Sequence, residues 1–511
     1  MTMAISRRTL VLLVGLLLLH LLVRAHNILT LPLFVDEQSH LTRAEVIYSF
    51  DHHPAKDSHG KFLFYFLPGI FDLESFKDET LHLGRTSVAL ASLLTGALVF
   101  AIGSRLFDAR VGLAATAIYA LLPYASFFER MALADPFAGL IATALVWQSI
   151  RFVSRPSRSR ALWVGLFMAL APAAKLTMSF VDFVPIIAVL LFGSYDSLVD
   201  LVRRYWRYGL WAAGVVIGFW AMVFIPALID YTRGTDYVFY TPWLLETPVE
   251  SSDSVIVDKL GDKWEKLVLL TSLPMTILFL IGPWLVKREQ RKATLLVSSW
   301  LLATWFVSFF LVGYSSFQSR YMTAGSPALV LLLAVGAFAI TDRLFPRRAT
   351  IVAGLGWAVW AAVYALPFSY TAATDPTRLD MPWLDQHNYF ESLYNAYGLI
   401  EAMDAIRADA EGEVTVVLGT RFTPRLFEYE NLEYHRDREF NLSDADRPRT
   451  QQLILEPLAA GEPVYLVTDT YVDERRPDFP PMDGVVAIEF MAEFEKPYGA
   501  NTVKVWRLRE K

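Results

Sequence analysis

Residues 84–105 read GRTSVALASLLTGALVFAIGSR, with Arg85 and Arg105 near the ends and no charge between them. A helix rises about 1.5 Å per residue and the bilayer hydrocarbon is about 30 Å thick, so roughly 20 such residues cross it. Comparable apolar runs fall at 9–24, 111–128, 136–153, 161–178, 180–194, 209–229, 267–286, 294–313, 322–341 and 350–369. The runs at 161–178 and 180–194 are short and close together, which fits tilted helices or a hairpin. The fold class expected is therefore a polytopic α-helical membrane protein with about eleven spans. Composition agrees: 19% of the 511 residues are charged and 54% are hydrophobic, against about 25% charged in ordinary soluble proteins. The absence of cysteine excludes disulfides, thiolate metal sites and cysteine nucleophiles.

Orientation is read from the short connectors. Arg7 and Arg8 precede the first run. Arg105 and Arg110, then Arg155, Arg158 and Arg160, then Arg203, Arg204 and Arg207, then Lys287, Arg288, Arg291 and Lys292, and finally Arg343, Arg347 and Arg348 mark every second connector. Basic connectors stay in the cytoplasm, so the N-terminus is expected inside and everything after the last run outside. Ser6-Arg7-Arg8-Thr9-Leu10 also has the look of a twin-arginine export signal, with Val23-Arg24-Ala25 as its cleavage site. A retained first helix is the expected reading, because without it the 26–82 segment has no anchor on that side.

Two outer loops are long. The first, 25–82, holds the amphipathic stretch Gln38–Phe50 and the run FLFYFLPGIF after Lys61, which is too short to span and reads as interfacial or re-entrant. The second, 231–265, is rich in Thr, Ser, Pro and acids and reads as a lid. Beyond residue 370 charged residues become common. Val414–Leu418, Val464–Thr468, Val485–Phe490 and Thr502–Leu508 read as strands, and Leu399–Ala408 and Thr450–Ala459 as helices. The chain thus divides into a transmembrane domain, 1–370, and an extracytoplasmic soluble α/β domain, 371–511. No glycine-rich phosphate loop and no internal repeat is present.

Asp36 and Glu37 stand out in Leu33-Phe34-Val35-Asp36-Glu37-Gln38-Ser39-His40. Acid pairs in loops are commonly just solvated. This one lies between apolar residues at a membrane surface, where partial desolvation suits a carboxylate to general-base work. Cations also collect at the outer ends of the spans: Lys61, Arg85, Arg130, Lys175 and Arg320. A charge at membrane depth costs roughly 2.5–3.5 kcal/mol or more, so each must face a cavity or a partner. Singly, any of them is explained by snorkelling or a structural ion pair. Together, on the side where the positive-inside rule assigns no basic residues, they describe an anion site.

These residues carry a resemblance. Asp36-Glu37, then Asp57-Ser58-His59-Gly60-Lys61 with Phe62-Leu63-Phe64, then Gly84-Arg85, then Glu129-Arg130-Met131-Ala132-Leu133-Ala134-Asp135-Pro136, then Lys175, then Arg320-Tyr321 with Pro327 follow the motif order of the GT-C superfamily. Within it the chain resembles the branch of protein O-mannosyltransferases and aminoarabinose transferases. The match covers 1 to about 370, and the E-R-M-A-L-x-D-P segment is its most specific part. Two departures are visible: Phe62 and Leu63 replace the proline of the family's D-x-x-G-K-x-P-L-F stretch, and alanine precedes Lys175.

The resemblance implies a glycosyltransferase whose donor is a polyprenyl-phosphate-linked sugar held in the bilayer. Asp36, with Glu37, would take the proton of an acceptor hydroxyl arriving from outside. Lys61, Arg85, Arg130, Asp135, Lys175, Arg320 and Tyr321 would bind the donor phosphate or the rest of the substrate, and single-step attack would invert the anomeric carbon. The acceptor is left open among protein, lipid and polysaccharide, and nucleic acid is not expected as a partner. The branch implies a bacterial plasma membrane. No cofactor is expected to be required; a divalent metal is the alternative, with His40 and His59 as candidate ligands near His52, His53 and Asp57. Trp243 and Trp383 are candidates for stacking on a sugar. Two rival readings stand beside the enzyme. A lipid-linked sugar transporter or flippase would be expected to show repeats, and a non-catalytic membrane scaffold has no need of the acid pair.

Overall fold

The computed structural model describes residues 6–51, 53–56, 58–73, 75–76, 79–232, 253–306, 318–410, 414–420, 422, 432–436, 447–470, 485–499 and 501–511. Trp243, His52 and Asp57, with most of the expected lid, lie outside them. Six of the expected spans are single helices long and apolar enough to cross a membrane: Arg7–Ala25, Thr80–Leu106, Ala134–Ser154, Leu198–Pro226, Ser319–Leu344 and Ala349–Thr374. Their outward faces carry Leu18, Leu94, Ile217, Met222 and Val363, all exposed, which suits lipid and not water.

Of the other five runs, four are helical but shorter or broken, and local chemistry explains where; the fifth, 294–313, is helical over its described part. Asp108 caps Ala109–Leu121 by accepting from the Arg110 and Val111 amides, and Pro123 then starts the separate turn Pro123–Phe128. Pro172 lies in Arg158–Ala174, and a 3-10 stretch, Leu176–Phe183, leads into Val184–Phe192. Arg291–Phe306 is followed by residues outside the described set. The expected 267–286 span is bent by 112° between Lys263–Thr271 and Leu273–Leu285. Ser272 there has φ 82°, and Pro274 lacks the amide that would continue the ladder. The carbonyls freed at the bend are not orphaned: Trp360 Nε1 donates to Thr271 O at 3.1 Å and the Tyr364 hydroxyl donates to Leu269 O. A bend at membrane depth persists only when side chains satisfy the backbone in this way.

Lipid tails give helices no hydrophobic reason to pair, so close approach at small residues does that work. A Cβ placed on Gly282 would lie 2.6 Å from the Gly336 Cα. Here two backbones meet at a distance that only glycine permits.

The described chain forms two compact units. Met1–Thr30, Arg43–Asp72 and His82–Pro382 make the membrane unit; Leu31–Thr42, Leu73–Leu81 and Trp383–Lys511 make the second. The second contains a five-stranded mixed sheet of β1 (Val414–Gly419), β2 (Leu432–Arg436), β3 (Val464–Asp469), β4 (Val486–Glu495) and β5 (Thr502–Glu510), in the order β2-β1-β3-β5-β4. β1 is parallel to β2 and β3, and β5 is antiparallel to β3 and β4. β1 and β3 are buried along their whole length, as strands covered on both faces must be. One face packs on Leu399, Met403 and Ile406 of the Leu399–Asp409 helix; the other packs on Ile454 of the Arg447–Ala459 helix. Leu33, from the segment after the first span, is part of the first of these cores.

Candidate active site

The expected anion-binding residues of the membrane unit fall into two groups. The first is made by the Ala134–Ser154 helix, the end of Arg158–Ala174 and the 3-10 stretch Ser319–Gly325. Asp135, in the first turn of its helix, forms an ion pair with Lys175 Nζ, and the same ammonium lies 4.6 Å from the centroid of the Tyr321 ring. The Arg320 guanidinium is 5.2 Å from that ring centre, and Nη2 is 3.5 Å from the Tyr321 hydroxyl. Trp305 holds this stretch in place, its Nε1 donating to Met322 O at 3.0 Å. Lys61 is tied to the same place through the main chain: the Leu176 amide donates to Gly60 O at 2.9 Å. Two cations and a phenol therefore gather with one carboxylate.

The second group closes around the turn after the first span. Arg85 Nη1 donates to Ile28 O at 2.9 Å, and Arg130 Nη2 donates to His26 O at 3.0 Å and Asn27 O at 2.6 Å. Both side chains are buried. Arg130 Nε and Nη1 have no hydrogen-bond partner among the described residues, so this guanidinium retains donor capacity beyond the turn it holds.

Sequence reasoning missed what fixes this second group. Arg24 is wholly buried: Nε donates to Glu129 Oε2 at 2.7 Å, Nη1 to Ala120 O at 2.5 Å and Nη2 to Tyr119 O at 2.9 Å. The Tyr119 hydroxyl completes Glu129, donating to Oε1 at 2.5 Å. Glu129 of the E-R-M-A-L-x-D-P segment thus joins the first span to the next elements. The signal was present, because an arginine in the last turn of a first span, opposite the basic end marked by Arg7 and Arg8, has no place under the positive-inside rule.

Asp36 and Glu37 belong to the second unit, in the first turn of the Val35–Glu45 helix, where acids are favoured by the helix N-terminus. Glu37 is buried and its Oε2 accepts from the Phe34 amide at 3.1 Å, folding back over the helix start. Asp36 is only partly buried. Of the candidate metal ligands, His40 is buried in the second unit, and His59 sits 3.0 Å, through Nε2, from Arg43 Nη2 in the membrane unit. A metal on that nitrogen would have to displace the guanidinium. Among the described residues no three His, Asp or Glu side chains converge as a ligand set. Trp383 is exposed and stacks on His387 with centroids 5.5 Å apart.

Comparison with known proteins gives this geometry its context. Residues 58–229 match the dolichyl-phosphate-mannose-protein mannosyltransferase family. The fold is similar to that of ArnT from Cupriavidus metallidurans bound to undecaprenyl phosphate, at 13% identity and TM-score 0.61, over 97% of this chain and 97% of that one. The apo form of ArnT is similar at 14% identity and TM-score 0.59, with 97% of each chain covered. The oligosaccharyltransferase AglB from Archaeoglobus fulgidus, in complex with an inhibitory peptide and a dolichol-phosphate, is similar at 12% identity and TM-score 0.51, over 93% of this chain and 70% of that one. No protein with a curated description matches the sequence significantly.

Proposed function

We propose that this chain is a membrane glycosyltransferase of the GT-C superfamily that moves a sugar from a polyprenyl-phosphate donor to an acceptor hydroxyl on the extracytoplasmic face, a reading that the family match over 58–229 and the likeness to ArnT support. The observation that carries the reading is the gathering of Lys175, Arg320 and Tyr321 with Asp135 in the membrane unit. In the reaction the acceptor oxygen bonds to the anomeric carbon as the bond from that carbon to the phosphate oxygen breaks. The hydroxyl proton passes to the Asp36 carboxylate, and the lipid phosphate leaves as a dianion. One displacement inverts the anomeric centre.

Charge grows on the leaving phosphate, so cations placed there act most strongly in the transition state, and more so in a water-poor site. Lys175 and Arg320 take that role, with Lys61 beside them in the chain fold and Arg130 supplying its remaining donors. Asp135 aims Lys175, and Glu37 shapes the helix start that presents Asp36. The ArnT structure holding undecaprenyl phosphate and the AglB structure holding a dolichol-phosphate support the choice of a lipid phosphate donor. The positive-inside pattern supports the outer face, and the resemblance to the bacterial branch supports a bacterial plasma membrane. The chemistry asks for no metal: the cations that balance the phosphate are side chains.

The test is transfer from a panel of polyprenyl-phosphate sugars by purified protein, with membrane extract as acceptor source and with and without divalent metal, beside Asp36→Asn. Consumption of one donor by wild type and its sparing by the variant supports the reading. Equal consumption by both removes Asp36 as base.

A further inference from the structure

We propose that Lys496 is a positioning residue for this transfer, its buried ammonium fixing the 392–395 turn on which the start of the Asp36 helix is hung. The inference rests on the reading of Asp36 as the general base. It assigns the second unit a part in catalysis and not only in holding an acceptor.

The connection is made of short, directional contacts within one unit. Lys496 follows β4, is 4% exposed, and donates from Nζ to Ser392 O at 2.9 Å and to Asn395 O at 3.1 Å. Asn395 closes the turn from inside, its Nδ2 donating to Ser392 O at 2.8 Å and Asn388 O at 3.3 Å. The turn in turn holds the outer-loop strand. The Val35 amide donates to Tyr394 O at 2.9 Å, the Ala396 amide donates to Leu33 O at 3.0 Å, and Phe34 pairs with Asn395 in an antiparallel bridge. The Phe34 ring packs on Tyr389 with centroids 4.6 Å apart. Asp36 is the next residue after Val35. Its backbone position is thus set through two peptide hydrogen bonds by a turn whose carbonyls converge on one ammonium.

A lysine is an unusual choice for this place. Burying an ammonium is unfavourable unless it is well bonded, and a neutral donor would hold two carbonyls at less expense. A charged donor makes stronger hydrogen bonds than a neutral one, which matters where a loop must be held to a fraction of an ångström. Burial pushes the Lys496 pKa down to about 8, while the Asp469 carboxylate favours the charged form.

The experiment uses the full-length protein in lipid nanodiscs, with Lys496→Met, Lys496→Arg, Asp36→Asn and the double variant Lys496→Met/Asp36→Asn. Lys496→Met is expected to lower kcat about 10- to 100-fold, as small displacements of catalytic groups do, with donor KM unchanged. Amide exchange at Val35 and Ala396 is expected to speed up while the membrane helices keep their protection, and Lys496→Arg to recover most of both. In the Asp36→Asn background the lysine substitution should cost nothing further. If Asp36→Asn is inactive but Lys496→Met leaves kcat and the Val35 and Ala396 exchange unchanged, the positioning role is overturned and the base assignment survives. An active Asp36→Asn overturns both. Should Lys496→Met not fold, Lys496→Gln, which keeps a donor without the charge, serves in the same comparison.

Discussion

Lys175 holds its ammonium against the Asp135 carboxylate and 4.6 Å from the centre of the Tyr321 ring. The Asp135 carboxylate offsets part of the charge that Lys175 and Arg320 bring. The three elements of this cluster are far apart in sequence, and each contributes a side chain whose direction is fixed by a neighbour. Lys175→Met should therefore lower transfer by about 10²–10³-fold, the range seen when a donor aimed at developing charge is removed. Steady-state kinetics with a purified donor check this. A loss confined to donor KM would mean that Lys175 holds the ground state only.

Asp135→Asn tests a different property of the same pair. The amide still accepts a hydrogen bond but no longer pins the ammonium by charge. The expected outcome is a loss of about tenfold in kcat, smaller than that of Lys175→Met, since misplacement costs less than removal. In the double variant the two losses should not add, because residues in one network couple.

The Arg24–Glu129 pair is wholly buried, and the guanidinium is bonded at Nε, Nη1 and Nη2 alike. Glu129→Gln or Arg24→Met leaves an uncompensated buried charge or buried carbonyls, and should lower stability by about 3–5 kcal/mol. Thermal unfolding in detergent measures this. The apolar double replacement Arg24→Met/Glu129→Leu should recover a large part of the loss, because desolvation of two charges is then avoided. Transfer per folded molecule should also fall in the two single variants, because the pair fixes the turn that Arg130 holds.

Gly325 ends the stretch that carries Arg320 and Tyr321. A Cβ there would lie 2.2 Å from Trp305 Nε1, the atom that donates to Met322 O. Gly325→Ala must move the indole or the stretch. Donor affinity is expected to fall by about tenfold or more with the second unit unaffected, as equilibrium binding of a polyprenyl phosphate would show.

The helical membrane class was legible because apolar length is a composition property that survives any tertiary arrangement. Where a run breaks was less so. The bend at Ser272 is signalled by Pro274, but its tolerance depends on Trp360 and Tyr364, about ninety residues away, bonding the freed carbonyls. In the second unit β1 and β3 read as strands because their residues are mostly apolar and β-branched. β2, Leu-Glu-Tyr-His-Arg, has no β-branched residue and too short an alternation to stand out. The cations were legible as types and positions. Their division into a turn-holding set (Arg85, Arg130) and a gathered set (Lys175, Arg320) was not, since it depends on which carbonyls the fold brings to them. Lys496 gave no signal, because a lysine after a strand ordinarily lies in water.

Lys496 also predicts an unusual pH response. Asp469 on β3 favours its ammonium, and the nearby His387 and Glu391 are paired with each other at 3.3 Å. With its pKa lowered from 10.5 to about 8, the folded chain releases this proton before the unfolded chain does. Between about pH 8 and pH 10.5 the unfolded state then binds more protons at this position, so its contribution to stability rises with pH, by roughly 1.4 kcal/mol for each pH step of one in that window. Activity should move the other way. The 392–395 turn loses its charged donor above about pH 8, and kcat should fall through an alkaline limb centred there. Lys496→Arg, whose guanidinium stays charged, should shift that limb upward by more than one pH unit. Alkaline unfolding would make kcat and stability fall together, whereas loss of the ammonium makes kcat fall while the second unit becomes harder to unfold. Parallel pH profiles of transfer and of amide protection in β1 and β3 distinguish the two, and a limb that Lys496→Arg leaves in place would assign it to another group.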